Sequence, residues 1–216
     1  MKKTALLLIF VIMSSSMIFS QVPKEIILKA PQLKSGKLLM ESLSLRSSHR
    51  EFKSTPLSID HLSGLLWAAW GINRPESGKR TAPSAVNWQD IILYACLPGG
   101  IYRYDEVAHK LVLIKEGDYR KATGLQAFAA NAPLNLIFVS DYDRMERGSE
   151  QDKLLYSGLS TGYISQNVYL YCASEGLNTV VRASVDRDEL SKIMGLTEKQ
   201  HIVAAQSVGY APDKID

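Results

Sequence analysis

The apolar positions change their period along the chain, and each change marks an element. Between Lys34 and Leu45, Leu38, Leu39, Ser42 and Leu43 fall near one face of a short helix. Arg46 to Arg50 interrupts it with polar residues. Ser58 suits the N-cap of a helix over 59–70, where Leu62, Leu65, Leu66 and Ala69 recur at helical spacing before Gly71 stops it. Residues 73–82 have loop composition, and Pro83 begins a tight turn or short helix. The period then shortens. Residues 90–97 form a buried strand, Pro98-Gly99-Gly100 a turn, and 101–104 and 110–115 two further strands, together an antiparallel meander. Residues 118–130 predict a helix ended by Asn131-Ala132-Pro133, and 134–140 a strand. One long helix covers 150–176, with Gly176 as its stop. A strand at 178–185, a short helix at 187–194 and an apolar strand at 201–209 complete the order. No repeat or linker breaks 36–212, so the chain predicts one mixed α+β domain, preceded by an extension over 21–35 and followed by a tail at 213–216.

The long helix is unusual in its distribution. Leu154, Leu155, Leu159, Tyr163, Ile164, Val168, Leu170, Tyr171 and Cys172 do not keep to one stripe, so it should be covered on most sides. Gly158 and Gly162 share a face and would let a second backbone approach. A subunit interface is the reading, with a central core helix of a monomer as the alternative.

The N-terminus adds a processing signal. Lys2-Lys3 precede the apolar run Ala5 to Met13, and Ser14 to Ser16 and Ser20 lead to a cut before Gln21. This is the layout of a secretory signal peptide over 1–20, too short for a comfortable membrane span. Export, to a periplasm, is expected, with no stable membrane anchor after removal. The formal charge of +3 includes Lys2 and Lys3, so the chain from Gln21 carries only +1. That weighs against a nucleic-acid partner, which wants a dense basic face. Cys96 and Cys172 lie in apolar runs and read as buried thiols, with a disulfide as the alternative.

Several chemistries are missing. There is no Walker loop, no G-x-S-x-G, no H-E-x-x-H and no C-x-x-C. His49, His61, His109 and His201 are too far apart for a helical metal pair, and no metal site is expected. Three clusters carry positive signal. Arg46-Ser47-Ser48-His49-Arg50 puts two guanidinium forks beside two hydroxyls, a set suited to phosphate, with Phe52 as an apolar anchor. Pro83-Ser84-Ala85-Val86-Asn87 makes a tight entry to a buried strand, and the Asn87 amide can both donate and accept at a heteroaromatic edge. Gln166-Asn167 sits inside an otherwise apolar helix and needs partners if buried.

In this order the clusters resemble the FMN-dependent nitroreductase-like oxidoreductases. Arg46 to Phe52 is similar to that family's R-x-S-x-[RK]-x-F motif, Pro83 to Asn87 to its P-S-[SAG]-x-N loop, and Gly162 to Leu177 to its G-x-x-x-Q-N…G-L helix. Val208-Gly209-Tyr210 with Pro212 is similar to the closing G-Y-P strand, and the chain looks nearest to the SagB-type dehydrogenases. The resemblance implies an α+β fold with a mainly antiparallel sheet flanked by helices. It implies a homodimer about the long helix, with FMN at the subunit interface. Arg46, Ser48 and Arg50 would hold the flavin phosphate and ribityl chain, with Ser47 beside them. Pro83, Ser84 and Asn87 would reach the flavin of the other subunit. Arg182, Ala183 and Ser184 would pass under the ring, with the Ala183 N–H bonding flavin N5. The flavin would carry the redox chemistry, so no catalytic side chain is expected. The family's usual Gly or Glu-Gly is Ala183-Ser184 here, and only Lys214 follows the closing motif where many members have a basic phosphate ligand.

The function these features imply is an exported flavoenzyme moving hydride to or from a small organic substrate. NAD(P)H is not expected outside the cytoplasm, so the electron donor would be a quinol, a partner protein or the substrate. A flavin-binding protein without turnover and a cofactor-free structural relative are the alternatives.

Overall fold

A computed structural model describes residues 21–213; the expected signal segment at 1–20 and Lys214 in the tail lie outside the described residues. The strands are β1 (Glu25–Ile27), β2 (Ile72–Arg74), β3 (Lys79–Arg80), β4 (Ile91–Leu97), β5 (Gly100–Asp105), β6 (Lys110–Glu116), β7 (Leu134–Asp141), β8 (Leu177–Arg182) and β9 (Gln200–Tyr210). The helices are α1 (Leu39–Leu45), α2 (Ile59–Trp70), α3 (Phe128–Asn131), α4 (Glu150–Glu175) and α5 (Arg187–Met194).

Seven strands form one sheet in the order β1-β6-β5-β4-β7-β9-β8, every neighbour antiparallel. The expected meander is β4-β5-β6. Because side chains alternate along a strand, β4, β5, β7 and β9 each feed two cores. Leu93, Ala95, Leu134, Leu136 and Phe138 pack under α2 and α4, while Ile92, Tyr94, Cys96, Ile137 and Val139 pack under α5. Cys96 and Cys172 belong to different cores and are free, so no disulfide joins them. Burial pushes the Cys96 thiol up to about 12, which leaves it an unreactive apolar group.

Two expected helix boundaries hold because their caps do. Ser58 accepts from the His61 N–H at 3.2 Å, and Gly71 closes α2 on Trp67 O. Ser149 and Asp152 form a reciprocal capping box at the start of α4, and Gly176 at φ 72° ends it.

Four expectations are corrected. The stretch at 118–130 is not one helix. It is a 3-10 turn over 120–123, then the single turn α3, with Gly124 extended between them. The Asp118 carboxylate pairs with Arg120 and caps its N–H, and Gly124 must stay side-chain-free because a Cβ there would lie 2.2 Å from Arg182 Nε. The loop at 73–82 contains the β2-β3 hairpin. The 21–35 extension contributes β1, an edge strand on β6. In α1 the apolar face points outward: Ser42 is buried, while Leu38, Leu39 and Leu43 are exposed.

The same inversion marks the first half of α4. Its inward positions are Ser157, Ser160 and Thr161, with Ile164 the first apolar residue to turn inward, whereas Leu154, Leu155, Leu159 and Tyr163 are exposed. Gly158 and Gly162 lie on this outward side with nothing within 4 Å of the Cβ positions. Asn167, in the half-buried second half, finds its partner in Ala68 O at 3.1 Å.

Candidate functional site

After α1 the chain runs along the free edge of β8. The His49 N–H donates to Thr179 O at 2.9 Å, Asn178 Nδ2 to Glu51 O at 2.9 Å, and the Lys53 N–H to Tyr210 O at 3.0 Å. Phe52 packs on Phe128 with ring centroids 6.2 Å apart, and its ring edge also lies where a Cβ on Gly209 would reach. The closing Gly-Tyr pair is therefore a packing device: Gly209 admits Phe52 and Pro133, and the Tyr210 hydroxyl accepts from the Ser58 N–H at 3.0 Å.

This edge gathers the first cluster around a residue that the pattern reading passed over. Tyr169 on α4 lies beneath Arg46, whose guanidinium carbon is 5.4 Å from the ring centre. Its hydroxyl is 2.8 Å from Ser48 Oγ and accepts from the Val181 N–H at 3.1 Å. One phenol thus joins α4, β8 and the Arg46 segment. Its position four residues after Ser165 and three before Cys172 is the signal that would have found it. Ser47 turns away from Ser48, its Oγ 2.5 Å from His49 Nε2. Ser47, His49, Tyr169 and Thr179 line a cleft of about 220 Å³. Arg46 is half-buried and Arg50 exposed, and neither has a carboxylate partner among the described residues. The two unneutralised guanidiniums, two residues either side of Ser48 in the chain, are with its hydroxyl a donor set whose chemistry fits a phosphate.

β8 leads from this cluster to Ala183 and Ser184 over four residues past Thr179, about 13 Å of extended chain. Ala183 is exposed, and the Ser184 carbonyl accepts from the Leu125 N–H at 3.1 Å.

The Arg182 side chain does not face this surface. It is 6% exposed and turned inward. Nη1 donates to Ser207 Oγ at 2.7 Å, and Nη2 donates to Thr123 O, Thr123 Oγ1 and Asn135 Oδ1 at 2.9–3.0 Å. With only neutral partners, burial pulls its pKa down to about 10, so it stays charged at neutral pH.

The second cluster stands apart from the first. Trp88 packs edge-on against Tyr156, ring centroids 5.7 Å apart, near the start of α4. Tyr156 and Tyr169 are thirteen residues apart on one helix, about 20 Å. Pro83 and Asn87 are exposed, and Ser84 Oγ accepts from the Gln89 N–H at 3.0 Å. Val86, Asn87 and Gln89 have φ of 41°, 59° and 50°, a concentration of left-handed backbone that marks a constrained loop.

A separate cavity of about 670 Å³ lies between residues 29–37, α2 and α4, and none of the expected cofactor residues lines it. Among the described residues no three His, Cys, Asp or Glu side chains gather to hold a metal, and no helix is long and apolar enough to cross a membrane.

The edge thus combines a donor set able to hold a phosphate with an open strand end. The nitroreductase family model matches residues 43–210, and the chain belongs to that family. A protein of Methanocaldococcus jannaschii assigned by name to the nitroreductases is 32% identical over 173 residues, 74% of this chain and 85% of its own length. A crystal structure from Ralstonia eutropha with the same assignment is 42% identical, with a TM-score of 0.85 over 89% of this chain and 91% of that one. The NADPH:FMN oxidoreductase of Vibrio harveyi, solved with NAD+, shares the fold at 18% identity, with a TM-score of 0.60 over 82% of this chain and 69% of that one. The family is one of oxidoreductases.

Proposed function

We propose that the protein is an exported, FMN-dependent, homodimeric oxidoreductase, nearest in kind to the SagB-type dehydrogenases, that moves hydride to or from a small organic substrate. The carrying observation is the donor set of Arg46, Ser48 and Arg50, on one sheet edge with Ala183. Bound there, FMN would supply hydride transfer. The chain's own residues bind and orient: Arg46 and Arg50 neutralise the phosphate, Ser48 donates to it with Tyr169 behind, and the Ala183 N–H directs the ring.

The dimer follows from the separation of the two clusters. The midpoint between Tyr156 and Tyr169 falls at Gly162 and Tyr163, on the exposed apolar side of α4. A two-fold axis there would cross two copies of α4 closely at the glycines. It would also set the Asn87 loop of one copy beside the Arg46 segment of the other. Leu154, Leu155 and Leu159, with the exposed leucines of α1, would be covered by the same pairing.

Export follows from the residues at 1–20, and it makes a quinol, a partner protein or the substrate the electron source rather than NAD(P)H. The test is anaerobic reduction of the FMN-loaded protein, followed by loss of flavin absorbance. Reduction by a soluble quinol, with little by NADH or NADPH, is expected. Rapid NADPH reduction would remove the export argument about the donor. Loading without reduction by any donor would favour a flavin-binding protein without turnover. Mature protein from the periplasmic fraction should begin at Gln21; an intact Met1 would contradict cleavage.

A further inference from the structure

A run of side chains behind the 83–89 loop dictates which end of the Asn87 amide faces outward. Arg80 is buried, with its guanidinium 4.7 Å over the Trp70 ring. Nη2 pairs with the Glu106 carboxylate, Nη1 donates to Trp70 O at 3.1 Å, and Nε donates to Gln89 Oε1 at 2.7 Å. Arginine carries donors only, so Gln89 must present its amide oxygen to Arg80. Its nitrogen then points the other way, where Nε2 donates to Gly78 O at 3.1 Å and to Asn87 Oδ1 at 3.2 Å. Asn87 receives that bond on its oxygen. Its Nδ2 is left facing out, with no partner among the described residues.

The backbone holds this arrangement. Left-handed φ at Val86, Asn87 and Gln89 brings the Gln89 and Asn87 side chains together. The bend is pinned by the Gln89 N–H donating to Ser84 Oγ at 3.0 Å and by Arg144 Nη1 donating to Gln89 O at 3.0 Å. A β-branched residue at φ 41° is strained, and it persists because these bonds over-determine the loop.

We propose that Gln89, fixed by the Arg80–Glu106 pair, is a positioning residue that makes Asn87 a dedicated hydrogen-bond donor toward the flavin of the paired copy. This rests on the FMN reading above. A donor matches the carbonyl-bearing edge of the flavin pyrimidine, whereas an acceptor there would match only the ring N3–H.

Gln89→Glu reverses the polarity at nearly constant size. Its carboxylate keeps the bond from Arg80 but offers Asn87 an oxygen, so Asn87 turns round to donate and leaves its own oxygen outward. FMN Kd is measured by fluorescence quenching for the parent protein, Gln89→Glu, Asn87→Ala and the double variant. The expected result is at least 10-fold weaker binding in Gln89→Glu and no further loss when it is added to Asn87→Ala. An equal loss in both backgrounds, or none, overturns the proposal. Gln89→Met, which removes the donation without adding charge, should show the same non-additivity.

A second readout needs no flavin. In the parent protein the Asn87 side-chain amide protons should exchange with water like those of a free asparagine, while those of Gln89 are protected. Gln89→Glu should transfer protection to Asn87. Protected Asn87 protons in the parent protein overturn the proposal. The expected exchange pattern in a protein that ignores FMN would keep the relay and overturn the flavin reading instead.

Discussion

Tyr169, Asp90 and Arg182 are polar groups held inside the fold, and each makes its own demand. Tyr169→Phe removes the hydroxyl that accepts from the Val181 N–H and partners Ser48. The amide is only partly buried and water can reach it, so Tyr169→Phe should lower unfolding free energy by about 1 kcal/mol in urea titrations and weaken FMN binding as well. Asp90 is fully buried and accepts from Ser140 Oγ at 2.9 Å and Ser160 Oγ at 3.2 Å, with no ion pair among the described residues. Burial raises its pKa above the usual 3.8. Between the unfolded and folded values the folded state holds the proton more firmly, so stability falls as pH rises through that window. Asp90→Asn keeps the shape and removes the charge. The parent should therefore lose stability relative to Asp90→Asn as pH climbs from 4 toward neutrality; a difference constant with pH would contradict the buried-charge account. Arg182 shows the limit of a motif read by position alone. The segment it begins was legible, but side-chain direction is set by strand register. Opposite Ala205, it falls on the side facing Asn135 and Ser207.

At the scale of elements, the parts legible in sequence are those whose signals are local. Ser58 and Gly71 bound α2, Gly176 ends α4, and alternation and turns gave β4-β5-β6. The misread parts depend on distant partners. Gly124 breaks 118–130 because Arg182 occupies the space its side chain would need. β1 is a strand because β6 offers an edge, and nothing in Glu25-Ile26-Ile27 alone requires it. In the candidate site, the clusters at 46–50 and 83–87 stand out in the sequence, while Tyr169 and the Arg80–Gln89 support behind Asn87 emerge only from packing. The outward leucines of α4 yield a test of their own. A Cβ added at Gly158 or Gly162 meets no atom of the protomer within 4 Å, and replacing both by Leu exchanges two poor helix formers for good ones, a gain of up to about 1 kcal/mol each. The isolated fold should be no less stable. If the glycines admit a second α4, the same pair should drive the protein to monomer in sedimentation velocity, and an undisturbed dimer would place the interface elsewhere.

At the scale of the molecule, the fold separates two kinds of work. One sheet with two cores provides the stability, and its β8 edge carries the candidate site that the proposed dimer would complete. Arg46 and Arg50 bring to that edge segment two guanidiniums without carboxylate partners among the described residues. Charge-assisted bonds contribute about 1.5–3 kcal/mol each, so Arg46→Ala with Arg50→Ala should weaken FMN binding at least about 100-fold. The parent's affinity should also fall with salt more steeply than the double variant's. Equal affinity in both proteins would remove these residues from the site. The most direct measurement is an FMN titration of the purified protein, with flavin spectrum and molecular mass recorded together. The account predicts saturation near one FMN per chain on a dimer. A folded protein that takes up no FMN under any refolding condition would contradict it.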